Sequence, residues 1–385
     1  MNEYDQFENS DSPVPGKLDR REFLKSVGGG LVVLFTTVPR ITSGDTAPQA
    51  TAVPAFNAYL RIGGDGRVTC FTGKIEMGQG VVTSLPQMLA DELDVTVGMI
   101  DMVMGDTDRC PFDRGTWGSL TTRVFGPELR AAGAQARHVL LELAAEQLGL
   151  PVTRLDASDG VVFDREAPSR KVSYATLAKG QAIMREAGTA VATKAAPDYQ
   201  AMGTPLTRRD ALEKVTGGAQ FAADIRLPRM LYARILRPPV HGATLKNLDD
   251  SGLSAVPAAR VVRDGDLIAV VHEQRDVADR ALGLLEADYD IPAAEFDHKT
   301  VYEHLMRKVP DGETVAEAGD LATGEQMAFE IIDETYLNAY VAHAPMEPHT
   351  ALASMEGGRM TVWASTQSPF GLKRSLVAAL GMPEN

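Results

Sequence analysis

Apolar positions in this chain alternate at strand spacing before residue 72 and recur at helical spacing directly afterwards. Residues 58–62 and 67–71 predict two strands, joined as a hairpin across Gly63-Gly64-Asp65-Gly66. Residues 81–93 predict a helix, and residues 99–104 another strand that ends at Gly105-Asp106-Thr107. Residues 127–148 form a long amphipathic pattern with a 3.6-residue period. Residues 151–207 mix short strands and turns, with a helix near 174–179. A second series starts near Arg208, with strands at 231–236, 259–262 and 267–271, a helix at 276–285, and apolar positions around Ala287-Asp288-Tyr289. After a charged stretch, residues 329–336 read as a strand. A hairpin follows, 352–355 with 360–364 across Glu356-Gly357-Gly358-Arg359, and then a helix at 369–380. Strands and helices interleaved with antiparallel hairpins predict an α+β or mixed α/β organisation.

Composition narrows the function classes. A chain of 385 residues accommodates two or three domains. The net charge of -14 argues against a nucleic-acid partner, which requires a basic face. Cys70 and Cys110 are the only cysteines, too few for a [2Fe–2S] cluster, which takes four thiolates. Whether the two pair as a disulfide is open at this stage.

The N-terminus reads as an address. Residues 1–18 are polar, and Asp19-Arg20-Arg21-Glu22-Phe23-Leu24-Lys25 precedes a weakly apolar stretch over 27–38. This order matches a twin-arginine export signal, with a cleavage region near 43–50. The apolar stretch is shorter than the ~20 residues of a spanning helix. The competing readings are an uncleaved anchor and a chance arginine pair. Export of this kind carries folded proteins and implies periplasmic localisation, with any cofactor loaded beforehand.

Four segments carry candidate chemistry. In Thr72-Gly73-Lys74-Ile75-Glu76-Met77-Gly78-Gln79-Gly80, a glycine-flanked amide sits between a strand and a helix N-terminus. Such a turn lets backbone approach a ligand and aims N–H groups at an anion. An ordinary tight turn is the simpler alternative. Gly115-Thr116-Trp117-Gly118-Ser119-Leu120-Thr121-Thr122 concentrates hydroxyls and N–H groups before a helix, suited to phosphate or to plain capping. Glu347 and His349, two residues apart, read as an acid–base pair, as a fragment of a metal site, or, for Glu347, as a structural anchor for backbone N–H groups. Thr366-Gln367-Ser368-Pro369 ends a strand at another helix start, where Ser368 also reads as an N-cap.

Together these segments resemble the molybdopterin-binding large subunit of the xanthine oxidase family of molybdenum hydroxylases, in its isoquinoline 1-oxidoreductase β-subunit form. Glu76-Met77-Gly78-Gln79-Gly80 resembles the family's glutamine turn. Gly105-Asp106-Thr107 with Gly118-Ser119-Leu120-Thr121-Thr122 resembles its hydroxyl-rich loop. Asp210-Ala211-Leu212-Glu213-Lys214-Val215-Thr216-Gly217, with Asp224-Ile225 and Leu231-Tyr232-Ala233-Arg234, resembles the opening of its hammerhead domain. Met346-Glu347-Pro348-His349 with Thr366-Gln367-Ser368-Pro369 resembles the start of a further cofactor-binding domain. The resemblance runs from about residue 57 to the end.

The resemblance implies an α+β fold of aldehyde oxidase/xanthine dehydrogenase-type domains with an inserted α/β hammerhead. The expected division is a tail and signal over 1–50, a molybdopterin-binding segment over 51–207, the hammerhead over 208–291, a linker over 292–328, and a further binding domain from 329. The implied cofactor is molybdenum with molybdopterin in its cytosine dinucleotide form. The implied cofactor-binding residues are Gly78, Gln79, Gly80, Gly118, Ser119, Thr121, Thr122 and Gln367. No protein metal ligand is expected, because the pterin dithiolene holds the metal. The implied reaction hydroxylates N-heteroaromatics or aldehydes with oxygen from water. Implied partners are a small [2Fe–2S] subunit, a cytochrome c as candidate electron acceptor, and the remaining C-terminal part of the large subunit. The family's Gly-rich turn and its general-base glutamate are expected beyond residue 385, so no catalytic residue is assigned here and Glu347 does not take that role. A cofactor-holding or assembly fragment without catalysis is the alternative, and an exported, metal-independent binding protein is the third.

Overall fold

The computed structural model describes residues 31–36, 56–179, 184–186 and 191–384. The arginine pair and the cleavage region lie outside these residues. The chain divides into two compact units. Among the described residues, one spans Asp224–Pro348 and the other joins those up to Ala223 with His349 onwards.

The larger unit is built on a five-stranded sheet of order β4-β3-β2-β1-β8. Its strands are β1 (Leu31–Thr36), β2 (Phe56–Ile62), β3 (Val68–Thr72), β4 (Ile100–Met104) and β8 (Met184–Glu186). β1 falls within the stretch read from sequence as the apolar part of the export signal. β2 and β3 form the expected hairpin, closed by Gly66 N donating to Gly63 O at 2.9 Å. β3 and β4 are parallel, with Thr72 opposite Met104, and α1 (Val81–Leu93) makes the crossover between them. A parallel pair needs such a connection, which is why the helix follows the strand so closely.

α2 (Gly126–Leu148) packs on α1. The approach is close at Gly133, where a Cβ would lie 2.9 Å from Glu92 Cβ and 3.3 Å from Leu89 Cδ2. Leu85, Leu89 and Leu93 of α1 meet Leu129, Ala136 and Leu140 of α2 in one buried core with Leu60, Ile62 and Val68 of the sheet. A second sheet, β5 (Leu155–Ser158), β6 (Val161–Asp164) and β7 (Lys171–Ser173), adds Leu155, Val162 and Val172 to that core. The short helix α3 (Tyr174–Ala178) follows β7, and the Tyr174 hydroxyl donates to Leu93 O at 2.8 Å.

This unit runs past the expected boundary at residue 207. α4 (Ala211–Thr216), read from sequence as opening the next domain, belongs to it. Arg209 explains why: its guanidinium donates to Val97 O at 3.0 Å and Ile100 O at 2.6 Å, while its backbone N donates to Thr83 Oγ1 at 3.0 Å. The C-terminal piece of the unit is the hairpin β14 (Ala351–Glu356) and β15 (Arg359–Ala364), then α8 (Pro369–Leu380).

The smaller unit has a three-stranded antiparallel sheet of order β11-β12-β9 and a two-stranded one pairing β10 with β13. Its elements are β9 (Tyr232–Leu236), β10 (Thr244–Asp249), β11 (Arg260–Asp264), β12 (Leu267–His272), α5 (Arg275–Leu282) and β13 (Glu286–Asp290). α5 buries Ala278 and Ala281, the latter against Leu253 and Val270. The expected linker carries two short helices, α6 (Val301–Lys308) and α7 (Leu321–Met327). The strand expected over 329–336 is not formed. Phe329, Ile331, Ile332 and Tyr336 are exposed, and a strand with no ladder partner leaves its backbone groups to water.

Cys70 and Cys110 are both buried free thiols, so the open question of pairing resolves to no disulfide. Burial pushes Cys110 up to about 11 and Cys70 higher still, which makes both unreactive near neutral pH.

Candidate functional site

Three of the four sequence motifs converge in the larger unit. At the end of β3, Ile75 N donates to Thr116 Oγ1 at 3.1 Å. Thr116 N donates in turn to Gln367 O at 2.9 Å. Ser368 Oγ donates to Arg114 O at 2.9 Å. Thus the glutamine turn, the hydroxyl-rich loop and the start of α8 are tied through one buried threonine.

Beneath them lies a buried ion pair. Lys74 Nζ is 3.0 Å from Asp113 Oδ1 and donates to Gly115 O at 2.7 Å. Gly115 N donates back to Asp113 Oδ1 at 2.8 Å. The Lys74 ammonium also sits 5.8 Å from the centroid of the Phe125 ring, within reach of a cation–π interaction. Phe112 and Phe370 meet edge to face at 5.5 Å, which fixes α8 against the loop.

Two glycines permit this convergence. A Cβ on Gly73 would lie 2.3 Å from Asp113 Cβ and 2.9 Å from Phe370 Cε2. A Cβ on Gly105, which has φ +67°, would lie 2.7 Å from Ile75 Cγ2. A side chain at Gly73 would displace Asp113, Phe370 and the Pro111 carbonyl, and one at Gly105 would displace Ile75 and sit on a backbone conformation that L residues rarely adopt.

The glutamine turn differs from the sequence expectation in one respect. Its N–H groups at the head of α1 are not held open for an external anion. Gly78 N and Gly80 N donate to Glu76 Oε1 at 2.8 and 2.9 Å, and Val82 N donates to Glu76 Oε2 at 2.9 Å. A carboxylate at a helix N-terminus meets the positive end of the helix dipole, so the chain's own glutamate fills that role. Gln79 is also engaged within the turn: Oε1 accepts from Met77 N at 2.5 Å and Nε2 donates to Ile75 O at 2.9 Å. A primary amide retains one further N–H and one further lone pair after those two bonds. Gln79 is exposed and presents them outward.

Gly118 and Ser119 are exposed and both have positive φ, +61° and +56°. Thr121 is buried at the start of a π-helical turn (Thr121–Phe125), whereas Thr122 and Gln367 are exposed. Gln367 joins the convergence by its backbone carbonyl. Glu347 is exposed in the smaller unit and His349 falls in the larger one. Thr116, Lys74 and Asp113, which build the site, went unassigned from sequence. Thr116 and Lys74 stand inside the quoted motifs, but nothing local marks Asp113 as the partner of a lysine 39 residues away.

Comparison with known proteins gives the family. Two molybdopterin cofactor-binding domain models match, over residues 16–223 and 307–385. A nicotinate dehydrogenase subunit of Pseudomonas putida is 32% identical over 378 residues, an alignment covering 95% of this chain and 31% of that protein. The beta subunit of isoquinoline 1-oxidoreductase from Brevundimonas diminuta is 28% identical, covering 93% of this chain and 52% of that protein. A membrane-bound aldehyde dehydrogenase of Gluconacetobacter polyoxogenes, named as a pyrroloquinoline-quinone enzyme, is 25% identical, covering 96% of this chain and 50% of its own length. The chain belongs to the molybdopterin-binding large subunits of the xanthine oxidase family of molybdenum enzymes. It spans between 31% and 52% of the length of these relatives.

Proposed function

We propose that this chain is a cofactor-binding portion of the catalytic subunit of a periplasmic molybdenum hydroxylase acting on N-heteroaromatics or aldehydes. The observation that supports the reading most is the convergence of the glutamine turn, the hydroxyl-rich loop and the Gln367 segment through Thr116. The donor set fits the group. Within the three motifs the exposed polar side chains are neutral amides and hydroxyls, Gln79, Ser119, Thr122 and Gln367, with Met77 and Trp117 exposed beside them. Among the described residues no cluster of three or more His, Cys, Asp or Glu side chains offers a metal a protein cage. The amides and hydroxyls suit the polar groups of an organic cofactor.

When bound, a molybdenum–pterin group supplies two-electron redox chemistry with water as the source of the transferred oxygen. The chain's own part is positioning. Gln79 offers one donor and one acceptor in fixed orientation, and the Ser119 and Thr122 hydroxyls suit the phosphate or sugar of the cytosine dinucleotide form. The smaller unit stands where the family's α/β hammerhead is proposed. The proposed partners are a small [2Fe–2S] subunit, the remaining C-terminal part of the large subunit, and a cytochrome c acceptor.

The test is reconstitution. Expressed with the remaining part of the large subunit and the small subunit, the chain should support dye-linked oxidation of a heterocycle or aldehyde, with oxygen-18 from water in the product. Expressed alone it should not. Loss of all turnover in the complete set would favour a cofactor-holding fragment without catalysis. The export assignment has its own check. Changing Arg20 and Arg21 to Lys should leave the precursor in the cytoplasm, since the pair is read by a receptor rather than as bulk charge. Unchanged periplasmic protein on fractionation would remove that assignment.

A further inference from the structure

We propose that Glu76 is the positioning residue of the glutamine turn, holding Gln79 in the one orientation that a bound pterin cofactor can use; this rests on the cofactor reading above. Gly78 and Gly80 have φ of +106° and +89°, backbone that L side chains rarely adopt. Two such glycines are inexpensive to place but contribute no rigidity, because glycine loses the most conformational freedom on ordering. The rigidity comes from Glu76. One carboxylate receives three backbone N–H groups, those of Gly78, Gly80 and Val82, at 2.8–2.9 Å, and so spans the whole turn. Its side chain is only 19% exposed.

A second clamp closes from the other side. Arg208 Nη1 donates to Gly78 O at 2.7 Å, and Nη2 lies 3.5 Å from Glu76 Oε1. Arg208 is itself fixed by Asp210, through Nε at 3.0 Å and Nη2 at 2.8 Å. Both peptide groups of Gly78 are therefore held, its N–H by a carboxylate and its C=O by a guanidinium.

With the backbone fixed, the Gln79 amide has one favourable orientation. Its oxygen must face Met77 N and its nitrogen must face Ile75 O; reversed, each would meet a like group. The outward N–H and lone pair follow from that choice. Glu76 thus acts on a ligand only through the turn.

The experiment uses the full chain expressed with cofactor biosynthesis intact. Glu76→Ala, Glu76→Gln, Gln79→Ala and the double Glu76→Ala/Gln79→Ala variant are purified. Pterin per protein is measured by fluorescence after oxidation, and amide exchange is followed over residues 76–84. Glu76→Ala should lose pterin on the order of tenfold, the usual scale for removing a group that orients a ligand-binding residue. It should also speed exchange across the turn. Gln79→Ala should lose pterin with a smaller change in exchange. The double variant should be no worse than the worse of the two single variants, because the two act in series. Glu76→Gln keeps an acceptor for Gly78 and Gly80 and should recover part of the pterin. Losses that multiply in the double variant, or unchanged exchange in Glu76→Ala, would overturn this inference. A wild-type chain without pterin would instead overturn the cofactor reading, while the exchange data still decide what holds the turn.

Discussion

Asp113→Ala should lower the stability of the larger unit by about 3 kcal/mol, the lower end of the range for breaking a buried ion pair from one side. The Asp113 side chain is 6% exposed and that of Lys74 14%, so little water reaches either. Removing the carboxylate leaves the Lys74 ammonium with the Gly115 carbonyl, and orphans Gly115 N. An unpaired buried donor alone costs about 1–3 kcal/mol. For a unit of this size the midpoint of thermal unfolding should fall by roughly 6–12 °C. Exposed pairs make the contrast. Asp276→Ala removes the surface contact with Arg280, both largely exposed, and should leave the midpoint nearly unchanged. Equal shifts for the two variants would show that the Lys74–Asp113 pair does not anchor the loop.

Much of the fold could be read from the pattern of side chains. The hairpin at Gly63–Gly66, helices α1 and α2 and the final helix α8 all stand within one or two residues of their expected positions. Each has a strong local signal: paired glycines between apolar runs, a 3.6-residue apolar period, or a proline at the first helical position. Elements whose pairing is decided far along the chain escape a local reading. β10 carries only Leu245 and Leu248 as apolar residues and owes its existence to pairing with β13. Residues 329–336 have the opposite problem, a strong strand pattern with no partner strand in the described chain.

The site was legible in its parts and hidden in its assembly. The segments holding Gly78, Gln79, Gly80, Ser119 and Gln367 stand out by type and spacing, while their selection as cofactor-binding residues comes from the family resemblance. That their segments meet depends on Thr116, which reaches Ile75 with its hydroxyl and Gln367 with its backbone N–H. Glu76 was read as part of a motif, although its role is to satisfy three N–H groups. A glutamate two residues before a glycine gives no sign of this until the backbone bends back over it. Arg208 lies 132 residues from Glu76, a separation at which local pattern carries no information.

The largest effect on function is expected at Gly73. Any side chain there collides with Asp113 and Phe370 and forces the glutamine turn away from the hydroxyl-rich loop and α8. Gly73→Val should therefore abolish cofactor retention. Gly64→Ala is the matched control, since a Cβ at Gly64 meets nothing within 4 Å. The deciding measurement is molybdenum by metal analysis and pterin by fluorescence on the purified chain, its Gly73→Val variant and its Gly64→Ala variant, all expressed where the cofactor is made. Wild-type and Gly64→Ala protein should each carry up to about one molybdenum and one pterin per chain, as expected of a dedicated cofactor site, and Gly73→Val should carry neither. Absence of both from folded wild-type protein, or equal loading of the Gly73→Val variant, would contradict a molybdopterin site built from these three segments.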